Sequence, residues 1–276
     1  MCKFYKSVLF LTLVAIIFTG CAYSSSTQKG VVGVDRKQLM LVSSANMDKG
    51  AKEAYSSIIQ KAKQEGTLNQ NKKNALRIKE IAKNLIPQTP TFRQDAKSWD
   101  WEANLITSKQ LNAWCMPGGK IAFYSGIIDQ LQLSDDEIAA IMGHEMAHAL
   151  REHSRERSSQ NMVANGILGI GAALLGLDQG TTNLAAQVTN VTILLPNSRE
   201  QESEADYMGV ELAARAGYDP RAAISVWEKM KKLSNGNNPP EFLSTHPSHD
   251  TRIEELTAYA EVVRPLYEQS LKQKAK

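Results

Sequence analysis

The sequence predicts an α+β fold that is mostly helical, in which long helices surround a small β-sheet. Helical signals occur in five segments, residues 49–86, 134–152, 198–216, 220–232 and 250–259, whereas strand signals are confined to residues 99–124. Residues 138–142 are apolar on every side, so the helix that contains them is expected to be central and buried.

The first two predicted helices and the sheet lie in the N-terminal half of the chain. Residues 49–86 have two polar-faced helical patterns, which are broken near Gly66 and ended by Pro87 and Pro90. Apolar and polar residues alternate from 99 to 105, which is typical of a half-buried strand. Two further strands, residues 113–116 and 120–124, are expected on either side of a Pro-Gly-Gly turn, with Cys115 buried in the first.

The buried helix and three later helices follow the sheet. Ser134 with Glu137 three residues later predicts a helix start, and Gly217 is expected to end the helix over residues 198–216. Residues 166–177 form an apolar run rich in glycine and alanine that is too short to span a membrane. A buried or interfacial segment is expected there, with a mobile lid or a membrane-facing surface as the alternative.

Charge and cysteine content exclude two classes of protein. The 276 residues include 32 basic and 29 acidic side chains, a formal net charge of +3 and no long basic block, which argues against nucleic acid as a partner. Three cysteines are too few for a small disulfide-stabilised scaffold. We therefore expect a folded protein of medium size with a substantial core.

The N-terminus has the pattern of a signal peptide. Lys3 and Lys6 precede a short apolar stretch, residues 7–18, so residues 1–20 are predicted to be a signal peptide. A transmembrane anchor that stays attached is the alternative, although the stretch is short for a span.

A lipid anchor is predicted at the end of this signal. The sequence Phe-Thr-Gly-Cys ending at Cys21 resembles a bacterial lipobox, which implies that Cys21 is lipidated and becomes the N-terminus. Ala22 and Tyr23 follow it rather than an aspartate, and by resemblance to enterobacterial sorting this implies the periplasmic side of the outer membrane. Residues 21–47 are interpreted as a polar tether and N-terminal segment.

An H-E-x-x-H motif, His144-Glu145-Met146-Ala147-His148, lies within the predicted central helix. Histidines at i and i+4 share one helix face, so both imidazoles can reach one Zn²⁺ ion at about 2.0–2.1 Å. Glu145 can then accept a proton from a water on the metal. Such side chains would be costly to bury in an apolar helix unless they bound something, so the motif predicts one zinc ion per chain.

The acidic helix over residues 198–216 offers the third ligand that a catalytic zinc requires. At about 100° per residue, Glu202 borders the apolar arc of this helix and Asp206 lies just outside the arc. Glu202 is therefore predicted as a ligand, and Asp206 as the acceptor for the free ring N–H of a zinc-bound histidine. Glu200 and Glu204 are expected to face solvent, and His153 is likewise expected on the surface.

His246 belongs to a Thr-His-Pro segment that follows a polar linker, residues 234–240. A surface histidine in a loop is one interpretation. Two functional roles are also open: His246 could donate a hydrogen bond to the oxyanion, or it could bind zinc in the resting enzyme and block the site.

Together, these motifs resemble those of the HtpX/BepA-type gluzincin metallopeptidases. The match extends from Asn112 to about Ile253 and includes the H-E-x-x-H helix, the later E-x-x-x-D helix and the Pro-Gly-Gly turn, with Ser198-Arg199, Thr245-His246-Pro247 and Arg252-Ile253. The resemblance implies a zincin-like domain, expected over residues 48–265, with a basic tail over 266–276. It also implies His144, His148 and Glu202 as ligands and Glu145 as the base. The stand-alone periplasmic lipoprotein members are the most similar type.

The expected reaction is zinc-dependent endoproteolysis, with Glu145 activating the water and protonating the leaving amine. Residues 113–124 are the candidate edge strand for pairing with an extended substrate. The resemblance implies unfolded or misfolded envelope proteins as substrates. A lipid-anchored, zinc-stabilised scaffold without proteolysis is the alternative function, and an amidase of the cell wall is a weaker one.

Overall fold

A computed structural model describes residues 23–174, 184–234, 241–247 and 251–275. Its strands are β1 (Tyr23–Ser24), β2 (Gln38–Leu39), β3 (Glu102–Ile106), β4 (Ala113–Met116) and β5 (Lys120–Tyr124). Its helices are α1 (Ser44–Gln64), α2 (Lys72–Leu85), α3 (Ser125–Leu131), α4 (Asp135–Leu150), α5 (His153–Leu174), α6 (Leu184–Thr189), α7 (Arg199–Arg215), α8 (Ala222–Ser234), α9 (Glu241–Thr245) and α10 (Arg252–Lys274). The predicted α+β, mostly helical class is confirmed.

The main sheet has three strands in the order β3-β5-β4, with β3 parallel and β4 antiparallel to the central β5. Of the predicted substrate strand, residues 113–124, only β4 is therefore an edge, because β5 is paired on both sides. The predicted strand over 99–105 begins later than expected. Trp99 and Trp101 lie before β3 and stack on each other with ring centroids 5.4 Å apart.

The N-terminal segment, residues 23–43, is packed onto the domain, and the polar stretch 24–29, which is interpreted above as a tether, contacts it through Ser26 and Gln28. Val32 and Val34 are buried in the main core, and the amides of Val31 and Val32 donate to the Glu211 carboxylate of α7. Gln38 is fully buried and donates to the Arg151 carbonyl at 2.8 Å. Cys21 itself lies outside the described residues, as does the predicted signal peptide.

Helix α4 is the central helix that the apolar pattern predicts. The Ser134 hydroxyl accepts a hydrogen bond from the Glu137 amide, and the Glu137 carboxylate accepts one from the Ser134 amide. This capping box satisfies amides that the helix itself cannot pair. Every residue from Glu137 to Leu150 is buried. Strand β4 of the sheet packs against one side of α4, and α7 crosses α4 on another side.

Helices α4 and α7 approach each other closely at two glycines, Gly143 and Gly209. A Cβ added at Gly209 would lie 2.7 Å from the backbone nitrogen of His144, and one at Gly143 would lie 2.7 Å from the Gly209 carbonyl oxygen. The obstructing atoms are backbone, which cannot rotate away. These glycines therefore set the distance between the two helices that carry the predicted zinc ligands.

Gly209→Ala is expected to lower the free energy of unfolding by about 1–3 kcal/mol and to weaken zinc binding, because the added methyl forces the helices apart. Urea unfolding and zinc titration measure the two effects. Gly166→Ala is the matched control: its added Cβ would meet no atom within 4 Å, so this change should be neutral or stabilising. Equal behaviour of the two variants would contradict the close-approach argument.

The C-terminal region differs from expectation. The predicted helix over residues 250–259 continues as α10 to Lys274, so most of the expected basic tail is helical. The apolar run over residues 166–177 begins within α5 and ends outside the described residues. None of the helices within the described ranges combines the length and hydropathy needed to span a bilayer.

Candidate metal centre

His144 and His148 lie one turn apart on α4 and point the same way. Their Nε2 atoms are 3.1 Å apart, and both side chains are buried. The Nδ1–H of His144 donates to the Asp206 carboxylate at 2.9 Å, as the helical spacing predicts. In a neutral His144, this hydrogen bond leaves the Nε2 lone pair directed at His148.

Glu202 comes from α7 and faces both histidines. Its carboxylate oxygens lie 3.5 Å from Nε2 of His144 and 3.3 Å from Nε2 of His148. The side chain is fully buried, which agrees with its predicted position at the border of the apolar arc. The close crossing of α4 and α7 brings it there.

His246, which directly follows α9, completes the cluster. Its Nδ1 lies 3.0 Å from a Glu202 oxygen and 3.2 Å from Nε2 of His144. Phe242 stacks on the imidazole with ring centroids 4.3 Å apart, and only 5% of the residue is exposed. The interpretation of His246 as a surface histidine is therefore wrong, and both functional roles stay open.

The donor set fits a zinc ion. One ligand atom from each of His144, His148, Glu202 and His246 lies within 4.8 Å of the other three, and all four side chains are buried. Imidazole nitrogen and carboxylate oxygen are the ligands that zinc takes besides thiolate. Several lone pairs otherwise converge on one buried point, which is costly unless a cation or protons lie between them.

Glu145 lies beside this cluster. Its Oε1 is 3.4 Å from Nε2 of His246, and it is a buried oxygen without a hydrogen-bond partner among the described residues. Burial raises the pKa of the Glu145 carboxyl group, while the neighbouring His246 opposes that shift. A carboxylate with a raised pKa is a better proton acceptor, as a general base requires.

Arg252 of α10 is a residue of this centre to which the sequence analysis assigns no role. Its guanidinium group lies 2.8 Å from Glu202 and 2.7 Å from Asp206, and it stacks over Trp227 at 3.5 Å from the ring centroid. Burial alone would raise the pKa of Glu202, but His246 and Arg252 hold it well below its usual range. In the sequence, Arg252 was singled out only as part of the Arg252-Ile253 pair that resembles the family.

The pKa of His144 reflects its two acidic neighbours. Burial by itself lowers this pKa, but hydrogen bonds with Asp206 and Glu202 raise it to about 9. In the absence of a metal, the imidazole therefore holds a second proton at neutral pH, and this proton competes with a cation for Nε2.

Two residues that the sequence analysis assigned to the surface are buried. His153 is fully buried and Glu204 is 7% exposed, and the two are joined by a contact of 2.9 Å. Glu204 is buried although it lies on the face of α7 that points away from α4. That face is covered by Arg36 of the N-terminal segment, by Arg151 at the C-terminal end of α4 and by His153 at the start of α5.

Comparisons with known proteins agree with this geometry. The model of peptidase family M48 matches residues 72–260. The mitochondrial metalloendopeptidase OMA1 of Saccharomyces cerevisiae is 30% identical over 93% of this chain and 76% of its own length. OMA1 of Arabidopsis thaliana is 38% identical over 59% of this chain, and the beta-barrel assembly-enhancing protease of Escherichia coli K12 is 27% identical over 60%. The matches cover 32% and 36% of the lengths of these two relatives.

Proposed function

The chain belongs to peptidase family M48 and is a metalloprotease that uses zinc, and from this premise we propose that it cleaves unfolded or misfolded proteins of the cell envelope. The observation that carries the proposal is the buried cluster of His144, His148, Glu202 and His246 with Glu145 beside it. The envelope context is supported by the signal and lipobox pattern and by similarity to the Escherichia coli protease. Similarity to OMA1 supports proteolysis but not this compartment.

In the proposed mechanism His144, His148 and Glu202 would hold the metal. The chemistry that a zinc ion would supply there is a lower pKa of a water molecule and polarisation of the scissile carbonyl. Glu145 accepts the proton of that water and then delivers it to the amine that leaves. Asp206 holds the tautomer of His144 in which Nε2 is free, since the Nδ1–H donates to its carboxylate.

The substrate is proposed to bind as an extended strand along β4. This strand is at the edge of the sheet and packs against α4, which carries the H-E-x-x-H motif. Main-chain hydrogen bonds to an edge strand do not depend on side-chain identity, so unfolded segments should be preferred over one sequence motif.

Digestion of casein with and without a chelator tests the function. The protein with its zinc should cleave casein, the chelated protein should not, and added zinc should restore cleavage. Binding of casein without cleavage would favour the alternative, a zinc-stabilised scaffold. If the protein does not cleave casein but hydrolyses an amide of the cell wall, the amidase alternative would be favoured.

Cys21→Ser is expected to abolish membrane anchoring, because the thiol is the proposed site of lipidation. The wild type should fractionate with the outer membrane and carry acyl chains detectable by mass spectrometry. The variant should appear as an uncleaved or soluble form. A wild-type protein found free in the periplasm without acyl chains would contradict the proposed location.

His246→Ala is expected to raise casein turnover severalfold, because we propose that His246 binds the metal in the resting enzyme and blocks the site. Its Nδ1 lies within 3.2 Å of atoms from two other proposed ligands, which supports this role over that of an oxyanion donor. A loss of turnover equivalent to about 2.7–4 kcal/mol would instead indicate oxyanion stabilisation. Unchanged kinetics would contradict both roles.

A further inference from the structure

The two proposed zinc-binding histidines of α4, His144 and His148, are supported in different ways by α7. His144 donates directly to Asp206, whereas His148 contacts another imidazole: its Nδ1 lies 2.7 Å from Nδ1 of His153. Nε2 of His153 in turn lies 2.9 Å from Oε2 of Glu204. His148, His153 and Glu204 thus form a continuous chain of contacts, which we call the H-H-E chain.

The direction of hydrogen bonding in the H-H-E chain follows from its two ends. At one end, Nε2 of His148 must be without a proton to bind a metal, so in the neutral ring the proton is on Nδ1. This Nδ1–H can donate only if Nδ1 of His153 is an acceptor, which places the His153 proton on Nε2. At the other end, the Glu204 carboxylate is an acceptor, so it receives the His153 Nε2–H. Every donor in the chain then meets an acceptor.

Glu204 is held in place by two arginines. Arg36 donates to both of its oxygens at 3.1 and 3.0 Å, and Arg151 donates to Oε1 at 2.9 Å. Arg36 belongs to the N-terminal segment, and its guanidinium group also binds Glu156 through two hydrogen bonds. The far end of the H-H-E chain is therefore charged and rigid.

From this geometry we propose that His153 and Glu204 are positioning residues for the metal centre: they fix the tautomer and ring orientation of His148, as Asp206 does for His144. The inference rests on the proposed zinc site. Three carboxylates of α7 thereby have different roles. Glu202 is the proposed ligand, Asp206 supports His144, and Glu204 supports His148 through His153.

A purely structural role for Glu204 is the competing explanation, and Glu156 provides the matched control. Glu156 is as buried as Glu204 and shares Arg36 with it, but its hydrogen bonds go to Arg36, Gln38 and Gln201 rather than to His153. Glu156→Gln and Glu204→Gln therefore disturb the same ion network, whereas only the second weakens the acceptor of the H-H-E chain.

Zinc affinity, measured by competition with a chromogenic chelator, separates the two explanations. Glu204→Gln and His153→Phe should each bind zinc about 10–100-fold more weakly than the wild type, which is the usual effect of losing the partner of a metal-bound histidine. Glu156→Gln should stay within about twofold of the wild-type affinity on the same grounds. Equal affinity of all variants, or an equal loss in both glutamine variants, would overturn the proposal.

Nuclear magnetic resonance of the zinc-loaded wild type, with ¹⁵N-labelled histidine, gives a test that needs no variant to fold. The expected signature is a proton on Nδ1 of His148 and on Nε2 of His153. A proton on Nδ1 of His153 would overturn the proposal. Both experiments measure zinc affinity or ring protonation rather than hydrolysis. The positioning role of the H-H-E chain can therefore be disproved while the wild type still cleaves casein, and a failure to cleave casein would leave both measurements unaffected.

Discussion

Glu145→Gln is expected to lower the turnover of casein by about 10²–10⁴-fold, the range that general acid–base groups contribute, while zinc content stays near one per chain. Glutamine has nearly the same shape as glutamate but cannot accept a proton at neutral pH. Glu145 lies beside the proposed ligand cluster and not within it, so its replacement should leave the metal in place.

The control for Glu145→Gln is Glu200→Gln, a change of the same chemistry at an exposed position in the first turn of α7. Glu200→Gln should retain wild-type turnover and zinc. Metal content by atomic absorption and casein digestion are measured on the same preparations. If Glu145→Gln digests casein at the wild-type rate, the assignment of Glu145 as the base is wrong.

Arg252→Met is expected to lower the free energy of unfolding of the zinc-free protein by about 3–5 kcal/mol, the cost of leaving buried charges without their partner. Arg252 is 1% exposed and pairs with the Glu202 and Asp206 carboxylates, so its loss leaves the protonated His144 facing two buried negative charges. Zinc supplies positive charge at the same place, so the loss should be smaller for the zinc-loaded protein. By linkage, the native variant should then bind zinc at least as tightly as the wild type.

Urea unfolding with and without zinc measures both parts of the Arg252 prediction. Arg264→Met is the matched control, because Arg264 lies on the same helix with 61% of its side chain exposed and should change stability little. A loss of stability at Arg252 that is the same with and without zinc would contradict the charge-compensation argument. A loss no greater than that of Arg264→Met would contradict the buried ion pair altogether.

The sequence by itself determined the helix that carries the metal motif and which two acidic residues of α7, Glu202 and Asp206, lie beside its histidines. The spacing of His144 and His148, the apolar run between residues 138 and 142 and the capping pair Ser134 and Glu137 are local patterns, and local patterns specify a buried helix. Glu202 and Asp206 could be predicted to lie near the site because the 3.6-residue periodicity of a helix shows which residues lie at the edge of its apolar side. The strands over 113–116 and 120–124 were likewise fixed by their turn.

Only the tertiary structure decided which residues meet from distant parts of the chain. A helical wheel describes one element and cannot show what covers its other faces, and the face of α7 that bears Glu204 is covered, so Glu204 is buried against Arg36 and His153 instead of facing water. The sheet order made β4 an edge and β5 central, which strand propensity cannot specify. Arg252 and His246 reach the site from the C-terminal part of the chain because long-range packing, rather than local sequence, brings them to the buried carboxylates of α7.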